Sequence, residues 1–113
     1  MLSLTLLVFP ACSTIHSRVS VSAGEQFILG ENSHEGFSSR LENRGPNEAE
    51  VVKRIFGIET TIAVLRPNDR ASVDFPPGSV VFLRNRGPEP TVVRVKLSGD
   101  TGLSMAYDSL ETD

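Results

Sequence analysis

Few residues in the chain have side chains suited to chemistry, and they are scattered. The 113 residues include one cysteine, Cys12, and two histidines, His16 and His34. Neither histidine has a second histidine at the spacing of a metal-binding pair, and no serine stands in a nucleophile elbow. Glycine-rich phosphate loops and dinucleotide fingerprints are also missing from the sequence. We therefore predict no catalytic residue, no metal site and no cofactor, and we do not expect an enzyme.

Two arginines in a repeated turn are the best candidates for ligand binding. Residues 41–46 (LENRGP) return as residues 83–88 (LRNRGP), forty-two positions later. Guanidinium groups make bidentate contacts with carboxylate and phosphate, so Arg44 and Arg86 could form a paired anion- or partner-binding rim at one end of the domain. Asn, Gly and Pro also suit the turn of a hairpin, in which case the repeat marks architecture alone. Both interpretations are open.

The elements that would position these residues are predicted to be strands throughout. Apolar and polar residues alternate with period two, most clearly over residues 91–97, and seven prolines and nine glycines punctuate the chain. Residues 48–55 (EAEVVKRI) could form a helix by propensity, but their flanking turns favour a strand. We predict an antiparallel β-sandwich, of jelly-roll or immunoglobulin-like type, with about eight short strands. The repeat predicts two similar halves related by a pseudo-twofold axis.

The overall charge bears on the class of partner. Eleven basic and fourteen acidic residues give a net charge of −3. A nucleic-acid-binding protein needs a basic surface to displace phosphate counterions, so this balance argues against nucleic acid as the partner. A single cysteine also excludes an internal disulfide framework.

The start of the chain resembles an export signal. Residues 1–11 (MLSLTLLVFPA) carry no charge, are mostly apolar and are too short to span a bilayer as a helix. With Cys12 directly after Ala11, the segment resembles the signal of a bacterial lipoprotein. That resemblance implies cleavage before Cys12, attachment of lipid to Cys12, and a place in the cell envelope at the periplasmic face of the outer membrane. The alternatives are plain secretion without lipid attachment, and a cytoplasmic protein in which residues 2–9 form a strand and Cys12 is an ordinary buried thiol.

These observations give a predicted organisation of signal peptide (residues 1–11), short linker (12–17), β-sandwich (18–107) and acidic tail (108–113). The function that they favour is that of a non-enzymatic binding or structural module, held at the membrane through Cys12. Its expected partner is a protein or an anionic glycan.

Two other functions are open. Residues 76–85 (PPGSVVFLRN) resemble the second cupin motif, with Val81 at the position of the metal-binding histidine. This resemblance implies a cupin-like β-barrel without metal ligands, whose small-molecule pocket would lie around Phe75, Val81 and Leu83. The second alternative is a cytosolic or virion β-domain that assembles through exposed edge strands.

Overall fold

Residues 14–110 are described by the structure, a computed structural model, and they form an all-β domain. Nine strands and no helix lie within this range. The strands are β1 (Thr14–Val21), β2 (Glu25–Leu29), β3 (Phe37–Gly45), β4 (Ala49–Ile55), β5 (Ile58–Leu65), β6 (Arg70–Phe75), β7 (Val80–Asn85), β8 (Thr91–Gly99) and β9 (Met105–Ser109). The all-β prediction is confirmed, and the ambiguous segment 48–55 is a strand.

The two predicted domain boundaries differ from the observed strand ends. Strand β1 begins at Thr14, inside the segment 12–17 that we expected to be a linker, because its backbone pairs with β8 from Thr14 opposite Ser98 onward. Backbone pairing, rather than apolar side chains, extends the strand there. Strand β9 likewise reaches Ser109, inside the expected acidic tail. The predicted signal peptide and Cys12 lie outside the described residues.

The strands form two antiparallel sheets that pack as a sandwich. The four-stranded sheet has the order β1-β8-β3-β6, and the five-stranded sheet has the order β5-β4-β7-β2-β9. Strands β1 and β8, β2 and β7, β3 and β6, and β4 and β5 pair with one another. These pairs are those of one long hairpin wound into two sheets, which is the jelly-roll topology rather than the immunoglobulin one. Strand β9 extends the second sheet beside β2.

The strand order has the pseudo-twofold relation that the sequence repeat predicts. Exchanging β1 with β5, β2 with β6, β3 with β7 and β4 with β8 converts the order of the four-stranded sheet into β5-β4-β7-β2. The forty-two-residue offset carries Leu41 of β3 onto Leu83 of β7 and Val51 of β4 onto Val93 of β8. All four side chains are buried in the same core cluster. The repeat is therefore a repeat of structure as well as of sequence.

The core fills the space between the sheets. It is built from alternate side chains of the strands, including Phe27, Leu41, Val51, Leu83, Val93 and Leu97. Phe75, Val81 and Leu83, where a cupin-like pocket would lie, are buried together in this cluster. The residues expected to line a cavity are thus packing partners.

Strand β5 departs from the simple alternation expected for residues 58–65. A strict period of two would put Ile58, Thr60, Ile62 and Val64 on one face, but Val64 is exposed while Ile62, Ala63 and Leu65 pack on the core. The register of β4 against β5 shifts between Val51 and Val52. Such a bulge turns successive residues toward the same side, so a strict period of two fails there.

The repeated turns are held by two buried asparagines. Asn43 Oδ1 accepts a hydrogen bond from the Gly45 amide (2.9 Å), and Asn43 Nδ2 donates to the carbonyls of Asn47 (2.6 Å) and Leu65 (2.7 Å). Leu65 ends β5, so this side chain ties the turn after β3 to the opposite sheet.

Asn85 repeats this pattern in the second half. Its Oδ1 accepts from the Gly87 amide (3.0 Å), and its Nδ2 donates to the carbonyls of Glu89 (2.7 Å) and Val21 (2.9 Å). Val21 ends β1, the strand equivalent to β5. Both asparagines are fully buried, and a buried amide is tolerated when its donors and acceptor are satisfied.

Candidate anion-binding face

The outer face of the four-stranded sheet carries most of the positive charge of the protein. Every second residue of its strands points away from the core, as the alternating burial along β1, β3, β6 and β8 shows. Six of the eleven basic residues lie on this surface, but only two of the fourteen acidic ones, Glu42 and Asp74. We call this surface the cationic face; its basic residues are Arg18, Arg40, Arg44, Arg70, Arg94 and Lys96. Among the residues outside the cationic face, acidic side chains therefore clearly outnumber basic ones.

The strand register places like charges directly opposite each other on the cationic face. Arg18 pairs with Arg94 across β1 and β8, and Arg40 pairs with Lys96 across β3 and β8. Among residues 14–110, no carboxylate lies within 4.0 Å of the charged groups of Arg18, Arg40 or Lys96. Like charges in opposite positions destabilise a sheet, so these pairs do not serve the fold.

One carboxylate organises the remaining arginines. Glu42 Oε2 lies 3.1 Å from Arg44 Nη1 and 3.5 Å from Arg70 Nε, and Glu42 Oε1 lies 3.8 Å from Arg94 Nη1. Desolvation by the surrounding side chains acts to raise the pKa of Glu42, but the hydrogen bond from Arg44 and the charges of the three arginines hold that pKa below its ordinary value of 4.5. The carboxylate is therefore charged at neutral pH and fixes three guanidinium groups in place.

A groove of about 500 Å³ lies over this surface. Its lining includes His16, Arg18, Arg40, Glu42, Arg94 and Lys96, which belong to three adjacent strands. Neighbouring strands are spaced about 5 Å apart and outward residues about 7 Å apart along a strand, so the cations form a two-dimensional array. Such an array can contact several charges of one extended anionic ligand at once.

Most of the other outward residues between the cations are hydroxyls. These are Thr14, Ser20, Ser38, Ser72 and Ser98, beside His16 and Val92, and Ser38 donates a hydrogen bond to Asp74 (2.6 Å). None of the outward residues of these four described strands is Phe, Tyr or Trp, and the one aromatic ring among them is the imidazole of His16. Apart from that ring, the face offers a ligand charge and hydrogen bonds rather than a stacking platform.

The other sheet shows that the fold does not require this charge. By the forty-two-residue offset, Arg40 corresponds to Phe82 and Arg94 to Val52. Both belong to a buried apolar cluster on the five-stranded sheet, with Ile28 and Val80. The guanidinium groups of Arg54 and Arg84 lie 5.1 and 4.9 Å from the Phe82 ring centroid and cover it. Two related strand pairs thus carry an apolar cluster on one sheet and cations on the other.

Arg44 and Arg86, the predicted rim, lie on turns that meet but pair with different carboxylates. Asn47 Nδ2, in the first turn, donates to Asn85 Oδ1 (3.2 Å), which places the two turns at the same end of the sandwich. Arg44 belongs to the cationic face through Glu42, whereas Arg86 Nε pairs with Glu50 (3.2 Å) of the five-stranded sheet. The structure thus brings the turns together and assigns the two guanidinium groups to separate ion pairs.

The two histidines have separate surroundings. His16 is an exposed residue of β1 at the groove. His34 Nε2 lies 2.8 Å from the Ser79 carbonyl and Nδ1 2.6 Å from the Glu35 carbonyl, so the ring pins the loop after β2 to the start of β7. Within residues 14–110 no group of three or more His, Cys, Asp or Glu side chains could hold a metal ion.

The sequence carries a signal for the cationic face in the alternation of its strands rather than in a local motif. Arg40, Glu42 and Arg44 alternate with apolar or buried residues, and so do Arg94 and Lys96. That spacing predicts one charged face for each strand, but it does not tell which strands are neighbours.

Comparison with known proteins identifies no family for this chain. No protein-family model matches the chain, and no curated protein matches it. Within the described part of the chain there is no helix of the length and apolarity needed to cross a membrane.

Proposed function

We propose that the protein is a lipid-anchored binding module of the bacterial envelope that holds an anionic glycan on its cationic face. The observation that carries the proposal is that Arg18 stands opposite Arg94, and Arg40 opposite Lys96, in the strand register. Among the described strands, the pairing of the five-stranded sheet, its pseudo-symmetric counterpart, has no like charges in opposite positions. A bound polyanion would neutralise charges that the protein leaves unpaired, and it would account for their position.

The chemistry of the face favours a glycan over other anions. Guanidinium groups bind carboxylate and sulfate through paired hydrogen bonds, and the interleaved hydroxyls suit the hydroxyl groups of sugars. Single-stranded nucleic acids are bound mainly by stacking on aromatic side chains, and the outward positions of these strands hold no Phe, Tyr or Trp and a single His16 ring. The protein acts in this proposal by binding alone, without catalysis.

The proposed anchor at Cys12 fits the same arrangement. Cys12 precedes by two residues the start of β1, which supplies Arg18 and His16 to the face. An acylated Cys12 would therefore hold the cationic face close to the membrane, where envelope polysaccharides are retained.

Removing the unpaired cations should abolish most of the binding. We expect the double variant Arg40→Gln/Lys96→Gln of the full chain to bind polygalacturonate and heparin about tenfold more weakly, because two charge-assisted contacts are lost. The slope of log affinity against log salt concentration should fall by about two. Calorimetric titration over a salt series measures both quantities.

A matched control separates the face from the overall charge. Lys53→Gln/Arg66→Gln removes the same charge from residues outside the face and should bind as the wild type does. Equal loss of affinity in this control would contradict a localised site. Tighter binding of duplex DNA than of polygalacturonate at equal salt would replace the glycan by nucleic acid as the partner.

The anchor is tested by the mass of the processed protein. Expressed in a bacterial host with its own N-terminus, the chain should yield a form that begins at Cys12 and carries acyl mass, and Cys12→Ser should abolish this form. Intact-mass spectrometry of the membrane fraction measures the product. A chain that keeps Met1 in the soluble fraction would overturn the lipoprotein proposal.

A further inference from the structure

The hairpin between β4 and β5 ends in an apolar tip. Phe56 and Gly57 form its two-residue turn with positive φ values of 53° and 77°. Turns of this kind favour Asn-Gly, and a bulky residue in the left-handed region is strained. Phe56 is nevertheless 97% exposed, and Ile58 is 69% exposed. Since neither the turn nor the core accounts for these side chains, the tip is suited to an external apolar partner.

The tip lies at the end of the sandwich where the chain enters. Thr14 pairs with Ser98 near the end of β8, and Phe37 at the start of β3 pairs with both Gly99 and Phe75. These residues define one end of the four-stranded sheet.

The turn after Phe75 connects that end of the four-stranded sheet to the same end of the five-stranded sheet. It leads to Val80, the first residue of β7, which pairs with Arg54 just before the tip. Strand β5 lies against β6, and β1 lies against β2, so the tip and Thr14 are at the same end of the sandwich but at opposite edges.

We infer that the tip is a second membrane contact, in which Phe56 and Ile58 enter the interface of an anionic lipid bilayer. The inference rests on the proposed attachment of lipid at Cys12, because that attachment puts this end of the sandwich at a membrane. Lys53 and Arg54 precede the tip and would meet anionic headgroups, while aromatic and aliphatic side chains favour the boundary of the acyl region. Contacts at two opposite edges would fix the orientation of the domain, with the cationic face turned sideways, close to the bilayer but not pressed against it.

A single indole can report the environment of the tip. The chain has no tryptophan, so Phe56→Trp introduces the only indole, and it has one cysteine, so the full chain can be coupled through the Cys12 thiol to a maleimide lipid. On vesicles of phosphatidylcholine and phosphatidylglycerol in equal parts, the emission of Phe56→Trp should shift to shorter wavelength and be quenched by brominated acyl chains. Val64→Trp, which changes a half-exposed position of β5 away from the tip, should show neither effect.

The uncoupled chain gives a second measurement. Phe56→Ser should lower its partition onto the same vesicles by about tenfold, since the apolar area of one phenyl ring is lost. Unshifted emission from coupled Phe56→Trp, or equal quenching in Val64→Trp, would overturn the membrane contact. A blue shift that depends on protein concentration without vesicles would assign the tip to self-association instead. Because coupling through maleimide replaces natural acylation, failure of the tip is distinct from failure of the proposed anchor.

Discussion

Replacing Asn85 by alanine is expected to lower the free energy of unfolding by about 2–4 kcal/mol, since a fully buried amide leaves unpaired partners behind. The carbonyls of Val21 and Glu89 and the amide of Gly87 would all lose their hydrogen bonds. Asn43→Ala should cost a similar amount, because Asn43 makes the equivalent contacts in the other half. Urea unfolding of both variants measures these costs.

The same turns contain a control for the two interpretations of the repeat. Arg44 and Arg86 stand one residue after the asparagines, with side chains that are largely exposed in their ion pairs. Arg44→Ala and Arg86→Ala should leave stability nearly unchanged, since exposed ion pairs contribute little. Asn43→Asp should be at least as harmful as Asn43→Ala, because it puts a carboxylate against two carbonyl oxygens. If the arginine variants proved as unstable as the asparagine variants, the arginines would stabilise the repeated turns as much as the asparagines do.

The fold was predictable because its signals are local. Asn, Gly and Pro at residues 43–46 and 85–88 mark turns by their backbone preferences, and the alternation over residues 91–97 marks a strand by its period. The repeat of these turns also predicts two related halves. The exception is β5, where a bulge that no residue type announces brings Ile62 and Ala63 to the core together.

The cationic face was not predictable because it depends on register. Arg18 and Arg94 are far apart in the chain, and so are Arg40 and Lys96; they become neighbours only through the pairing of β8 with both β1 and β3. A shift of one residue would turn every one of these side chains to the opposite side of its strand. A local turn pattern therefore marks Arg44 and Arg86, whereas Arg40 and Lys96 share a surface that no local pattern marks.

The charge at the centre of the face should control ligand affinity. Glu42→Gln is expected to bind dextran sulfate about three- to tenfold more tightly than the wild type at neutral pH, since one repulsive charge is removed and three arginines are released. Asp74→Asn removes the same charge from a site that is hydrogen-bonded to Ser38, so it should have a smaller effect. Calorimetric titration of both variants measures the difference.

The pH dependence follows from the lowered pKa of Glu42. A carboxyl group whose pKa is lower in the folded state stabilises the fold above its unfolded value, and this contribution is lost as pH falls from 4.5 through the lowered pKa. Over the same pH range Glu42 of the wild type becomes protonated, so the affinity of the wild type for dextran sulfate should approach that of Glu42→Gln. Dextran sulfate itself stays charged in acid. The ratio of the two affinities should therefore approach one only as pH falls below the lowered pKa of Glu42, which lies under 4.5. A ratio that stays constant through this pH range would show that Glu42 does not control ligand affinity at the cationic face. The arginines around Glu42 would then have to be ordered by another contact.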